Sequence, residues 1–223
     1  MCALITLSVA PSQADEQYDP PSGTWNGKVV YMSRACHDRG SGACITNYGC
    51  DGAAGLTYSE NLGSRNIIRK ATYGGGGQFN LLERGYRVVI GNGLLQENIN
   101  NSNARNIAVH MPVHSDAPGD GQLHCPGNDP SIFGTLGLYR YTGQRNCANM
   151  IVSHLGPMGP GPNDVMLSKT DLGELNYVDA VTCYVEAEAH TWARGVNWLR
   201  EGAEDGGWSW ALGYVIDDYL NCP

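Results

Sequence analysis

The apolar positions along the chain change period several times, and each change marks an element. Lys28 to Met32 is a short apolar and β-branched run that predicts the first strand. Ser59 then precedes a segment in which Leu62, Ile67, Ile68 and Ala71 recur at roughly helical spacing, so a helix begins there with Ser59 as N-cap and Glu60 in its first turn. Gly74 to Gly77 interrupts what would otherwise run on to Leu81 and Leu82. Glycine costs a helix interior about 1 kcal/mol relative to alanine, so a break is expected there. Tyr86 to Ile90 predicts the second strand and Asn98 to Ala108 a weak, Asn-rich helix. Ile107, Val109, Met111 and Val113 alternate with His110, Pro112 and His114, the period of two that a strand requires, with His114 at its end. Pro112 has no backbone N–H to donate, which restricts that strand to an edge or a bulged position.

The second half continues the alternation. Asn146 to His154 reads as a helix, and Ala180 to Glu186 as a buried strand with Val181, Cys183 and Val185 on one side. Trp192 to Glu201 and Trp210 to Leu220 read as closing helices. Cys36 to Gly55, Ser115 to Pro130 and Gly156 to Pro162 are Gly-rich or Pro-rich loops, and there is no internal repeat. Strands alternating with helices predict a single α/β domain: a mixed, mainly parallel sheet with helices on both faces and loops stapled by disulfides.

With 223 residues the chain can bury a substantial core. Its formal net charge of -8 and the lack of any basic run argue against a nucleic-acid partner or an anionic membrane surface. The eight cysteines (Cys2, Cys36, Cys44, Cys50, Cys125, Cys147, Cys183, Cys222) lack the paired C-x-x-C spacing of a zinc ribbon and point to disulfides in a secreted, extracellular or wall-associated protein. Cys2 to Ala10 is apolar, and Ser12-Gln13-Ala14 has the character of a cleavage site, while the charged n-region of a signal peptide is missing. Residues 1–24 therefore read as a truncated signal peptide and leader, mobile over the polar stretch 15–23, and residues 25–223 as the folded domain. Cleavage after Ala14 removes Cys2 and leaves seven cysteines, one of them unpaired. No other apolar run approaches the roughly 20 residues of a spanning helix, so no membrane anchor is expected, and a monomer is.

His37, Glu60 and His114 supply two imidazoles and a carboxylate, the donor set of a catalytic zinc ion with one position left open. Such a site needs a base to move the proton of the attacking water, and Glu186, on the later strand, is the candidate. Glu188 is its alternate, because residues two apart on a strand face the same side. His124, beside Cys125, is the substitute ligand should His37 not serve, and His190 is a candidate for orienting substrate or stabilising an oxyanion. Trp208 and Trp210 flank Ser209 in a predicted loop where they could stack on sugar, whereas Trp192 and Trp198 have the spacing of core residues. His110 shares the strand face of His114 and reads as structural. The glycines at 74–77 do not form a phosphate cradle, since no strand precedes them and no Gly-Lys-Ser/Thr follows.

The order and setting of these residues resemble the zinc-dependent N-acetylmuramoyl-L-alanine amidases of the amidase-3 type over roughly residues 25–220. His37 follows the first strand, Glu60-Asn61-Leu62 opens the first helix, and Gly85-Tyr86-Arg87-Val88-Val89 looks like the family's second strand. Val113-His114-Ser115-Asp116-Ala117 resembles its most recognisable motif, and Val185-Glu186 stands where the family has Val-Glu. Two departures stand out: Ser33-Arg34-Ala35-Cys36-His37 replaces the family's Asp-Pro-Gly-His-Gly, and Glu188-Ala189 replaces its Gly-Phe. The resemblance implies zinc as cofactor, peptidoglycan as partner, and hydrolysis of the amide joining the lactyl group of muramic acid to L-alanine. A wall-binding module without turnover, or a zinc peptidase or deacetylase acting on another amide, would share many of the same features.

Overall fold

Val109, Met111 and Val113 turn one way along their strand, His110 and His114 the other, and the two layers of the molecule follow from that division. The computed structural model describes residues 14–37, 58–74, 80–117 and 130–221. Within them the strands are β1 (Glu16–Tyr18), β2 (Val29–Arg34), β3 (Arg87–Gly91), β4 (Val109–Asp116), β5 (Leu136–Tyr139), β6 (Val165–Ser168), β7 (Val181–Thr182) and β8 (Tyr184–Ala189). The helices are α1 (Glu60–Tyr73), α2 (Leu95–Asn103), α3 (Thr142–Leu155), α4 (Gly173–Tyr177), α5 (Ala193–Glu204) and α6 (Trp210–Asn221). The strands form one sheet in the order β1-β3-β2-β4-β8-β5-β6, with β7 also paired to β4. β3, β2, β4 and β8 run parallel, while β1 on β3 and β5 on β8 are antiparallel. This is the mixed, mainly parallel sheet that the alternation predicts.

One face of the sheet is apolar. Val30, Met32, Val88, Ile90, Met111 and Val185 project into a core completed by Ile67 and Ile68 of α1, Ile151 of α3, Leu199 of α5 and Val215 of α6. The other face is polar along its middle strands and is covered by the short helices α2 and α4. The Tyr31 hydroxyl donates to Asn98 Oδ1 of α2 (3.3 Å), and His110 contacts Ser102 of α2 (2.9 Å) and Glu174 of α4 (3.0 Å). Cys147 of α3 is disulfide-bonded to Cys183, between β7 and β8, so this bridge ties a core helix to the sheet rather than stapling a loop.

Several expectations change. Pro112 lies in a central strand, flanked by β2 and β8, and not at an edge. Cys183 N donates to His110 O (2.8 Å), which shows that even-numbered residues of β4 turn their backbone groups toward β7 and β8. At Pro112 that side is a gap in the ladder: β7 ends at Thr182, opposite His110, and pairing resumes at Val113 with Val185 of β8. A residue without an N–H is tolerated where no acceptor needs it. Glu16 to Tyr18, within the predicted mobile leader, forms an edge strand on β3, and Glu16 pairs with Arg65 and Arg69 of α1. Leu62 is exposed rather than part of the buried helix face. Helix α1 ends at Tyr73 with Gly74 as C-cap, as the glycines require. Residues 75–77, the predicted Cys36 to Gly55 loop beyond His37, the signal-peptide segment through Gln13, and His124 and Cys125 lie outside the described residues.

Candidate active site

The C-terminal end of β2 and the start of α1 are fastened to each other. The Arg34 guanidinium donates to Asn61 Oδ1 (3.1 Å) and to Asn92 O, the Asn61 side-chain amide donates to Ala35 O (3.0 Å), and Ala35 N donates to Ser64 Oγ (3.0 Å). These bonds fix the chain just before His37 against the first turn of α1, where Glu60 sits. Ser59 caps the helix by accepting from Leu62 N (3.3 Å), and the helix N-terminus favours a carboxylate in that turn.

Glu60 is buried and joins both histidines. Its Oε2 lies 3.0 Å from His37 Nε2 and its Oε1 lies 3.3 Å from His114 Nδ1 and accepts from Ser115 N (3.1 Å). Burial opposes its charge, but the hydrogen bonds from His114 and His37 outweigh burial and hold the carboxyl well below the usual range. The His114 ring stacks on Tyr184 of β8 (5.1 Å) and meets His37 edge-on (5.3 Å). One donor atom from each of His37, Glu60 and His114 lies within 4.8 Å of the others. Tetrahedral ligands at zinc–nitrogen distances of about 2.0–2.1 Å stand about 3.3–3.4 Å apart, and the contacts of 3.0 and 3.3 Å are close to that spacing. The group can hold a divalent metal. It sits at the carboxyl ends of β2 and β4, where the chain departs in opposite directions along the sheet, the place where open α/β sheets bind ligands. A cavity of about 220 Å³ opens beside it, lined by His37, His114, Leu95, Asp171, Glu174 and Tyr184 among others.

Glu186 is the register partner of His114 on the neighbouring parallel strand. Its Oε2 is buried and has no hydrogen-bond partner among the described residues. Burial first, then the charges of Asp116 and Glu60, push its carboxyl far above the ordinary value. Glu188 has a different setting. Its carboxylate accepts from Gly161 N (3.0 Å) and Ala189 N (2.8 Å), holding the loop after α3 under β8, and burial pushes it up to about 7.

His190 is buried beside the end of β4, with Nδ1 2.9 Å from Ser115 O and 3.0 Å from Ser115 Oγ. Trp208 does not stand in an open loop: it is 2% exposed, stacked on Trp198 at 4.1 Å, and donates to Trp198 O (2.7 Å). Gly202 of α5 makes room for this indole, since a Cβ there would come within 2.4 Å of it. Trp210 is half-buried at the start of α6, donating to Gly207 O (2.8 Å) and meeting Tyr214 edge-on. The residues that the sequence reading missed are Arg34, Asn61 and Ser64, which place His37, and Glu174, on the far side of His114. Each is a common polar residue with no motif around it.

The fold is that of the N-acetylmuramoyl-L-alanine amidases. The chain matches Cwp6 from Clostridium difficile with a TM-score of 0.67 at 15% identity, covering 87% of this chain but 30% of Cwp6, so it spans under a third of that protein. It matches the amidase Ami1 from Mycobacterium smegmatis with a TM-score of 0.63 at 15% identity, over 88% of this chain and 98% of Ami1. AmiC2 of Nostoc punctiforme, also an N-acetylmuramoyl-L-alanine amidase, gives 0.59 at 15% identity over 86% and 97%. No protein-family model and no curated protein sequence matches the chain. Among the described residues no helix is long and apolar enough to cross a membrane.

Proposed function

We propose that the chain is a secreted, zinc-dependent N-acetylmuramoyl-L-alanine amidase that cleaves the bond between the lactyl group of N-acetylmuramic acid and L-alanine in peptidoglycan. The observation that carries this reading is the convergence of His37, Glu60 and His114 one strand away from Glu186, on a fold shared with amidases of that specificity. The Cys147–Cys183 bridge supports an oxidising compartment.

His37, Glu60 and His114 would hold the zinc, which when bound would supply polarisation of the scissile carbonyl and a more acidic attacking water. Glu186 takes a proton from the water that attacks the carbonyl and passes it to the nitrogen of L-alanine as the C–N bond breaks, so that the amine leaves neutral. Burial and the neighbouring carboxylates favour the protonated form of Glu186, which helps it keep a proton once taken, while the positive charge of a bound zinc would act the other way and leave the carboxylate able to accept one. Glu188 is the weaker candidate because both of its oxygens already hold backbone N–H groups. His190 supports the site from behind, through Ser115, and acts by position rather than by touching substrate.

Digestion of purified peptidoglycan with the zinc-loaded protein, read by mass spectrometry, tests the assignment. Free stem peptides beginning with L-alanine, together with glycan strands bearing intact lactyl groups, are expected. Fragments cut within the peptide, or acetate release, would transfer the same chemistry to another amide. Glu186→Gln should lower turnover by at least about 100-fold, the usual contribution of a positioned acid–base group, and should keep its zinc.

A further inference from the structure

The polar face of the sheet carries a buried carboxylate that the proposed reaction does not use. Glu174, in the first turn of α4, is 3% exposed, and its Oε1 lies 3.0 Å from His110 Nε2 and accepts from Ser33 Oγ at 2.5 Å. His110 is fully buried and clamped on three sides: Nδ1 meets Ser102 Oγ (2.9 Å), Nε2 also meets Ser33 Oγ (3.2 Å), and its ring stacks on Tyr31 (5.0 Å). Thr182 Oγ1 donates to the Glu174 carbonyl (2.9 Å) and anchors its backbone to β7. Side chains from β2, β4 and α2 and a bond from β7 thus fix one oxygen and the main chain of a single residue. The other oxygen, Oε2, faces His114 Nε2 at 4.0 Å, on the wall of the cavity.

The geometry points to Glu174 as a positioning residue for the metal ligand His114. A neutral imidazole has one N–H and one lone pair, and a carboxylate facing one nitrogen draws the proton to it. Glu60, the nearer carboxylate at 3.3 Å, faces Nδ1, and a metal bound between them would take the Nδ1 lone pair and leave the proton on Nε2, where Glu174 Oε2 is the carboxylate that faces it. A carboxylate on the far nitrogen of a ligating histidine favours that tautomer and raises its donor strength, and at 4.0 Å Glu174 does so through its charge and not through a hydrogen bond. His110 and His114 are four residues apart on one face of β4 and share this carboxylate, one holding it and the other being oriented by it. This inference rests on the metal reading of His37, Glu60 and His114.

The test compares zinc affinity of the full chain and of Glu174→Gln by competition with a chelator of known affinity, alongside unfolding of both proteins without metal. Removal of such a carboxylate weakens metal binding by about 10–100-fold, and that loss is expected while the metal-free variant stays folded. Nitrogen-15 correlation spectra of the zinc-loaded wild-type protein should place the His114 proton on Nε2 and the metal on Nδ1. Zinc affinity of the variant within two-fold of wild type, or a His114 proton on Nδ1, would overturn the inference. Should Glu174→Gln fail to fold, the wild-type spectrum decides alone. A wild-type protein that takes up no zinc would remove the metal reading itself, an outcome distinct from tight binding that ignores Glu174.

Discussion

At the scale of single residues, Glu186 and Glu188 show how two like side chains on one strand face come to differ. Glu188 is fully buried and held by two backbone N–H groups, whereas Glu186 is half-buried and its buried Oε2 has no partner among the described residues. Glu188 carries a consequence for stability. Its pKa of about 7 in the fold stands above the ordinary 4.5, so the folded protein retains a proton that the unfolded chain releases. The stability from this proton is fully present below pH 4.5 and is lost as pH rises through 7, up to about 3 kcal/mol at about 1.4 kcal/mol per unit. Glu188→Gln should flatten the dependence of unfolding free energy on pH between those values while hydrolysis persists; urea titrations at pH 4.5 and 7.5 measure it, and an unchanged slope would refute the role. The sequence pattern pointed to His37, Glu60, His114 and Glu186, which the fold brings together, because their types and order are uncommon in combination. Arg34, Asn61, Ser64 and Glu174 were not legible, since what distinguishes each is a partner 26 to 141 residues away, such as Ala35 for Asn61 and Ser33 for Glu174.

At the scale of elements, long periodic segments were legible and short ones were not. α1, α5, α6 and the strands β2, β3, β4 and β8 lie close to where apolar periodicity put them, within a few residues at their ends. β5 and β6 have four residues each and α4 has five, too few for a period to emerge. β5 also contains Gly137, whose absent Cβ admits α3: a methyl there would stand 2.2 Å from Ala148 O. Gly202 is the matching case in α5. In a helix interior an alanine is favoured over glycine by about 1 kcal/mol, but at this position the added methyl meets the Trp208 indole, which is stacked on Trp198 and cannot withdraw. Overpacking of this kind costs about 1–3 kcal/mol. Gly202→Ala should therefore lower the urea midpoint and alter the near-ultraviolet circular dichroism of the tryptophan pair, whereas a gain in stability would mean that helix propensity wins.

At the scale of the whole molecule, the end of the sheet that carries the candidate site is assembled from segments far apart in sequence, and its geometry depends on the core behind it. His37 follows β2, Glu60 opens α1, His114 lies in β4 and Glu186 in β8, so a shift of β8 against β4 moves the proposed base relative to the proposed ligands. The Cys147–Cys183 bridge fastens α3 to the segment between β7 and β8, where the pairing of β4 passes from one to the other. It closes a loop of 36 residues, and the chain-entropy model assigns a loop of that length about 4 kcal/mol. Both cysteines are fully buried in the apolar core. Replacing both by alanine should lower the unfolding free energy by about that amount, measured by urea denaturation at fixed pH. It should also lower hydrolysis more than zinc binding, because Glu186 lies on β8, which begins directly after Cys183, while the three proposed ligands lie on or beside β2, α1 and β4. Equal losses of the two would mean that the bridge stabilises the fold as a whole and does not hold β8 in register with β4.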